Sequence, residues 1–154
     1  MKALIYEKHG ADVLEYRDVP DPTPDLRDVV IKVAATTVNN LDATQRNGWF
    51  TMPGFELPHI SGMDVVGTIV EVGSEVSSVR LGERVIVDPS LTNVPENSKL
   101  SGRGDLYGEL GVIGANVDGG YAELCLVPDT HVYPIPDELS WHQAATFPTA
   151  WMTA

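Results

Sequence analysis

Along the first two thirds of the chain, apolar residues alternate or cluster in short runs, and each run is bounded by glycine, proline or asparagine. Residues 2–6 (KALIY) predict an opening strand, and residues 14–18 pair with it after a turn at His9 and Gly10. Residues 29–36 (VVIKVAAT) are rich in β-branched side chains, which fit a pleated surface. Further strands are predicted over residues 65–72 (VVGTIVEV), 84–87, 121–127 and 131–134. Gly67 interrupts the 65–72 run and predicts a bulge or tight bend there. Residues 21–25 hold two prolines and read as an extended connector. Residues 39–47 are polar with helix-compatible spacing and predict a short helix, followed by a loop over 48–58 that carries Trp49, Phe50 and Phe55. Many short strands with frequent Gly and Pro turns point to a closed or partly closed β-barrel.

The pattern changes near the end of the chain. Ser140 stands three residues before Gln143, the spacing of a capping box, and Pro148 is expected to end or kink the helix that follows. This late switch from strand to helix reads as the start of an α/β unit, so the chain is expected to be a fragment of something longer. Residues 88–111, by contrast, show almost no apolar periodicity, and a stretch this long without structure is uncommon unless functional.

With 154 residues, 43% of them hydrophobic, the chain is long enough to bury one core. No apolar run approaches the roughly 20 residues of a membrane helix, and the N-terminus lacks the apolar segment of a signal peptide. A soluble cytoplasmic protein with no membrane partner is expected. The net charge of −12 is dispersed, and such a surface repels phosphate backbones, which argues against nucleic acid as a partner. The single cysteine, Cys125, makes neither an internal disulfide nor a thiolate metal cluster. Its place in AELCLV reads as a buried structural thiol. The nearest imitation of a phosphate-cradling G-x-G-x-x-G, at Gly102 and Gly104, has Tyr107 in place of the third glycine and no strand leading into it.

Positive signals come in sequence order. Gly62, Met63 and Asp64 precede a strand; Val72 and Gly73 close it; Gly82, Glu83, Arg84 and Val85 follow; then come residues 118–123 (DGGYAE) and the stretch YPIPDELSWHQAA…TAWMTA. Together these resemble the medium-chain dehydrogenase/reductase superfamily over nearly the whole chain. The resemblance implies a mainly β fold, with a GroES-like, partly open β-barrel and short helices over residues 1–127. It implies that residues 128–154 begin the segment leading into a Rossmann coenzyme domain absent here. It further implies NADPH or NADH bound mainly by that domain, a small-molecule substrate, and homo-oligomer formation as an open alternative.

In zinc-binding relatives the lobe at 88–118 carries four thiolates. The matching positions here are Asn93, Glu96, Lys99 and Tyr107, none of them a thiol, and a lysine ammonium repels Zn²⁺. The lobe is then held by packing of Leu100, Leu106, Tyr107 and Leu110, or is a mobile loop, or contacts a partner. Zinc relatives also place Cys and His ligands where this chain has Asn39, Met63 and Thr149, an amide, a thioether and a hydroxyl. Asp64 is the one ligand-type side chain left in that set, and His59 stands at a variable place in L-P-x-I-x-G. No zinc is implied. The pattern of Asn39 with Asp42, and of Asp64 at the second site, resembles the quinone-oxidoreductase-like branch, in which hydrogen-bond donors replace the metal.

The residue roles that follow from the resemblance are catalytic for Asn39, Asp42 and Asp64, and substrate-binding for Trp49, Phe50 and Met63. Asn39, Asn40, Leu41, Thr149 and Thr153 are implied cofactor contacts. Each has a plainer alternative. Asn39 and Asp42 could cap a helix. Asp64 could orient the site without joining the reaction. Trp49 and Phe50 could be core residues, and the two threonine hydroxyls could bond back to the preceding helical turn. The implied function is the N-terminal catalytic-domain part of a zinc-independent NAD(P)H-dependent reductase of quinones, enones or enoyl-type substrates, inactive by itself. The alternatives are part of a zinc-type alcohol dehydrogenase and a non-catalytic GroES-like interaction module.

Overall fold

A computed structural model of the chain describes residues 1–102 and 111–154. The β-branched runs form its centre. Strands β3 (Asp28–Ala35) and β4 (Val66–Val72) lie in the middle of a five-stranded antiparallel sheet. It is completed by β5 (Arg84–Val87), β8 (Leu124–Pro128) and β9 (Val132–Pro134), in the order β8-β3-β4-β5-β9. Val29, Ile31, Ile69, Val85 and Val127 point to one face and are at most 1% exposed, which gives the main core. The irregularity expected at Gly67 is present on the facing strand. The β3–β4 register shifts between Val33 and Ala35, opposite Gly67, where an added Cβ would meet the Lys32 carbonyl.

Two further pairs accompany this sheet: β1 (Lys2–Ile5) with β2 (Glu15–Asp18), and β6 (Ser90–Leu91) with β7 (Gly111–Val112). Among the described residues the sheets do not close into a barrel. The edge strand β9 is three residues long and ends in Pro134, which has no N–H to extend a ladder. The fold is mainly β and open, and the closed alternative is corrected accordingly. The strand expected over residues 121–127 also divides. Leu4 N donates to the Tyr121 carbonyl (2.8 Å) and Glu123 N to the Lys2 carbonyl (3.0 Å), so its first part holds the β1–β2 hairpin. Glu123 faces both partners, its carbonyl accepting from Val33 N (2.9 Å), and from Leu124 onward the segment pairs with β3.

The lobe has more structure than its sequence suggested. β6 and β7 pair, and Leu91 and Ile113 join the main core with Leu100 packed against it. Asn93, Glu96 and Lys99 are exposed. Lys99 donates its ammonium to the Thr23 carbonyl and its backbone N–H to Asp28 Oδ2 (2.9 Å). The packing expected of Leu106, Tyr107 and Leu110 lies outside the described residues, as does the Tyr107 position of the thiolate pattern.

The helices follow their capping residues. Helix α1 (Asn40–Arg46) has Asn39 as N-cap. Helix α2 (Trp141–Ala145) opens with the predicted box: Gln143 N donates to Ser140 Oγ (3.3 Å) and Ser140 N to Gln143 Oε1 (3.2 Å). Pro148 stands at the first position of α3 (Pro148–Met152), where its missing N–H costs nothing. Ala144 and Ala145 pack on Val66. Arg84 clamps the segment before α2, lying 4.2 Å from the Trp141 ring centroid and donating to the Asp137 (2.8 Å) and Leu139 (2.6 Å) carbonyls. A second long-range tie, Arg27 to buried Asp129, is bidentate at 3.1 and 2.9 Å. The Ala144, Ala145 and Arg84 contacts seat α2 beside the start of β4. No helix among the described residues is long and apolar enough to cross a membrane.

Candidate functional site

Asp64 lies just before β4 and is 1% exposed. A buried carboxylate needs donors, and three segments supply them. Thr37, after β3, donates its hydroxyl to Oδ2. The Asn39 amide donates to the same oxygen at 2.9 Å. The backbone N–H of Thr149, in the first turn of α3, donates to Oδ1 at 2.7 Å. Residues 25, 27 and 85 positions away in sequence therefore meet at one carboxylate. The geometry makes Asp64 a shared acceptor for all three segments.

Asp42 forms a second centre beside the first. Its Oδ2 accepts from Asn39 N (2.7 Å) and the Tyr121 hydroxyl (3.0 Å), and its Oδ1 accepts from Gly62 N (3.1 Å). The Asn39 bond returns a cap to α1, so the capping alternative holds for Asp42. It does not exhaust Asn39, whose side chain is directed to Asp64. Burial raises the Asp42 carboxyl above its ordinary value, against the three hydrogen bonds that lower it. Burial and the neighbouring Asp42 charge push the Tyr121 phenol up as well. Sequence reasoning missed Tyr121. Its place in DGGYAE was read only as strand entry, and its partner lies 79 residues away.

The other predicted residues are spread around this pair. Met63 is buried at 4% exposure. Asn40 is exposed and its carbonyl accepts the Thr44 hydroxyl (2.6 Å), while Leu41 is half-buried. Trp49 and Phe50 project from the loop after α1 and are 79% and 51% exposed, so they are not core residues here. The Thr153 hydroxyl bonds back to the Thr149 carbonyl (2.7 Å), the plainer of its two readings. The Thr149 hydroxyl, in contrast, is buried and has no hydrogen-bond partner among the described residues. A cavity of about 780 Å³ lies elsewhere, lined by Ile5, Ile60, Val117, Asp118 and Cys125, and no predicted site residue lines it.

These residues do not suit zinc. The Asn39 nitrogen donates and cannot ligate, both Asp64 oxygens are engaged, and Met63 offers a thioether. Among the described residues no group of three or more His, Cys, Asp or Glu could hold a metal ion. His59 is engaged otherwise: its Nε2 lies 3.0 Å from the Gly114 carbonyl, and its ring sits edge-on to Phe55 and Tyr6. Burial lowers its pKa, outweighing the Gly114 carbonyl and the exposed Asp118 carboxylate at 3.7 Å. His131 is lowered by burial too. Unfolded imidazoles protonate below about pH 6.5 while these resist, so the unfolded state binds more protons there. Stability is expected to fall as pH drops from about 6.5, with Asp42, whose folded pKa is raised, offsetting part of the loss nearer the carboxylate range. Thermal melting between about pH 8 and pH 5 tests this, and His59→Gln should flatten the slope.

Residues 25–137 match the family model described as the alcohol dehydrogenase GroES-like domain. The chain is 32% identical to a quinone oxidoreductase of Mus musculus, covering 100% of this chain and 39% of that protein. It is 34% identical to an alcohol dehydrogenase of Geobacillus stearothermophilus, covering 99% of this chain and 45% of that one. A solved alcohol dehydrogenase from E. coli CFT073, complexed with the cofactor NADH, superimposes with a TM-score of 0.77 at 28% identity, over 96% of this chain and 42% of that one. The chain thus spans less than half the length of the curated relatives it matches, and those relatives are oxidoreductases by name. With its open antiparallel sheet and its site between β3, β4 and α3, it belongs to the alcohol dehydrogenase GroES-like domain family of the medium-chain dehydrogenase/reductase superfamily.

Proposed function

We propose that the full-length gene product is a zinc-independent, NAD(P)H-dependent reductase of quinones, enones or enoyl-type substrates, to which residues 1–127 contribute the substrate-side domain and residues 128–154 the lead into the coenzyme domain. The observation that carries this reading is that an amide, a thioether and a hydroxyl (Asn39, Met63 and Thr149) stand at the positions of the soft metal ligands, with Asp64 gathering the Asn39 amide, the Thr37 hydroxyl and the Thr149 backbone N–H. A bound nicotinamide coenzyme supplies the hydride. As negative charge builds on the substrate oxygen, donors must meet it. The Asn39 amide carries two hydrogens, and Asp64 engages one of them. The other is available to a substrate oxygen. Asp64 keeps the amide turned the right way, and Asp42 holds the Asn39 backbone. The Thr149 hydroxyl, which has no hydrogen-bond partner among the described residues, suits the polar edge of a nicotinamide ring, whereas the Thr153 hydroxyl is already engaged.

The test is coenzyme oxidation by the full-length protein against a benzoquinone, a small enone and a simple ketone, with elemental analysis of the same preparation. Turnover of the quinone or enone, unchanged by chelator, is expected. Asn39→Ala should lower kcat by about 10²-fold, the usual cost of removing one oxyanion donor. One zinc per chain together with chelator-sensitive alcohol oxidation would overturn the proposal and favour a zinc-type alcohol dehydrogenase. Failure to bind coenzyme at all would favour a non-catalytic module.

A further inference from the structure

We infer that Gln45 and Asn116 are positioning residues that brace the aromatic loop after α1 against the return arm of the lobe, and thereby set which substrates the loop accepts. The brace rests on the geometry alone; its effect on specificity rests on the function proposed above. The loop over residues 48–55 carries the exposed Trp49 and Phe50 in its first half. Its two ends are fixed locally. Trp49 N donates to the Thr44 carbonyl (3.0 Å), and the Phe55 ring packs among Tyr6, His9 and His59 with centroids 5.0–6.4 Å apart.

Its middle is held by two buried amides from elsewhere. Gln45, on α1 and 1% exposed, accepts from Met52 N at 3.4 Å and donates to the Ala115 carbonyl at 2.7 Å. Asn116, 3% exposed, donates to the Pro53 carbonyl at 3.1 Å and accepts from Val112 N at 2.7 Å. Each side chain therefore donates to one segment and accepts from another. An amide does both, whereas an ionised carboxylate of the same shape has no N–H to give. The residues reached on the lobe side, Val112, Ala115 and Asn116, lie beyond the last position of the thiolate pattern in sequence, on the arm that returns to the core. The lobe thus supports the middle of the aromatic loop through its return arm, with no thiolate needed for that task.

The decisive experiment uses the isosteric variants Gln45→Glu and Asn116→Asp in the full-length protein, with two readouts. Hydrogen exchange across residues 49–55 should speed up about tenfold while exchange in β3 and β4 stays as in the parent protein. For a bulky quinone KM should rise about tenfold with kcat within twofold, and for the smallest enone neither should change. A general structural defect would instead lower the active fraction for both substrates alike and speed exchange in the sheet, which overturns a positioning role. Unchanged exchange in the loop overturns the brace, and faster exchange with unchanged KM overturns its effect on specificity. If the parent protein turns over no quinone or enone, the functional proposal fails, and the exchange result still decides the brace.

Discussion

Asp64→Ala in the full-length protein is expected to lower the melting temperature by about 10 °C and kcat/KM by about 10²-fold or more. The reason lies in what the carboxylate holds together. Its partners come from the end of β3, the cap of α1 and the first turn of α3, and Asp64 is almost fully buried among them. Hydrogen bonds to a charged acceptor contribute about 1.5–3 kcal/mol each, and donors stranded by its loss keep their desolvation cost. These terms are not additive within one network, so a loss of about 3–5 kcal/mol is expected in place of the sum. Activity suffers through a different link. Without its acceptor the Asn39 amide is free to rotate, and α3 loses the contact that seats Thr149. Asp64→Asn separates the two effects: it keeps the shape and one acceptor oxygen, but its NH2 group must face at least one of the three donors. A loss about half that of alanine is expected, with kcat/KM still reduced. An Asp64→Ala protein that melts within about 2 °C of the parent, a shift worth less than 1 kcal/mol, would show that the carboxylate holds nothing.

Elements set by local chemistry were legible in the sequence. Ser140 and Gln143 marked the start of α2, Pro148 its break, and the β-branched runs marked β3 and β4. What stayed hidden was decided by pairing at long range. Nothing near Tyr121 says that its strand serves β1 first and β3 afterwards, since either partner suits the same alternating residues. The two-residue strands of the lobe are too short to show a period. The site was legible as a set of positions through family resemblance, but its wiring was not. That Asn39 serves Asp64 while Asp42 serves the helix cap depends on contacts over 25 and 3 residues respectively, and composition distinguishes neither. Thr149 and Thr153, four residues apart on one helix, looked equivalent in sequence. Among the described residues the Thr149 hydroxyl is buried without a hydrogen-bond partner, while the Thr153 hydroxyl folds back on the preceding turn.

Gly114→Ala is expected to cost the fold about 4 kcal/mol, while Gly82→Ala costs about 1 kcal/mol. The two glycines share a backbone conformation, with φ of +78° and +81°, so the left-handed penalty of about 1 kcal/mol applies to both. Their surroundings differ. An added Cβ at Gly82 meets nothing within 4 Å. At Gly114 it would stand 2.4 Å from the Gly62 carbonyl carbon, 2.5 Å from its oxygen and 2.7 Å from Met63 N. Those are main-chain atoms, which cannot rotate away as a side chain can, so the turn or the 62–63 segment must move. Movement there is costly on both sides. The Gly114 carbonyl faces His59 Nε2, and Gly62 donates to Asp42 while accepting from Gly120 N at 2.8 Å. The next residues in line are Met63 and Asp64, so any Gly114→Ala protein that still folds should also lose activity, whereas Gly82→Ala should keep its kcat. Melting of the pair in the full-length protein gives the comparison, with drops of about 10 °C and about 3 °C expected. Equal drops would mean that the close approach of the lobe's return arm to the 62–63 segment carries no energy, and that Asp64 is positioned by β4 and its own hydrogen-bond partners.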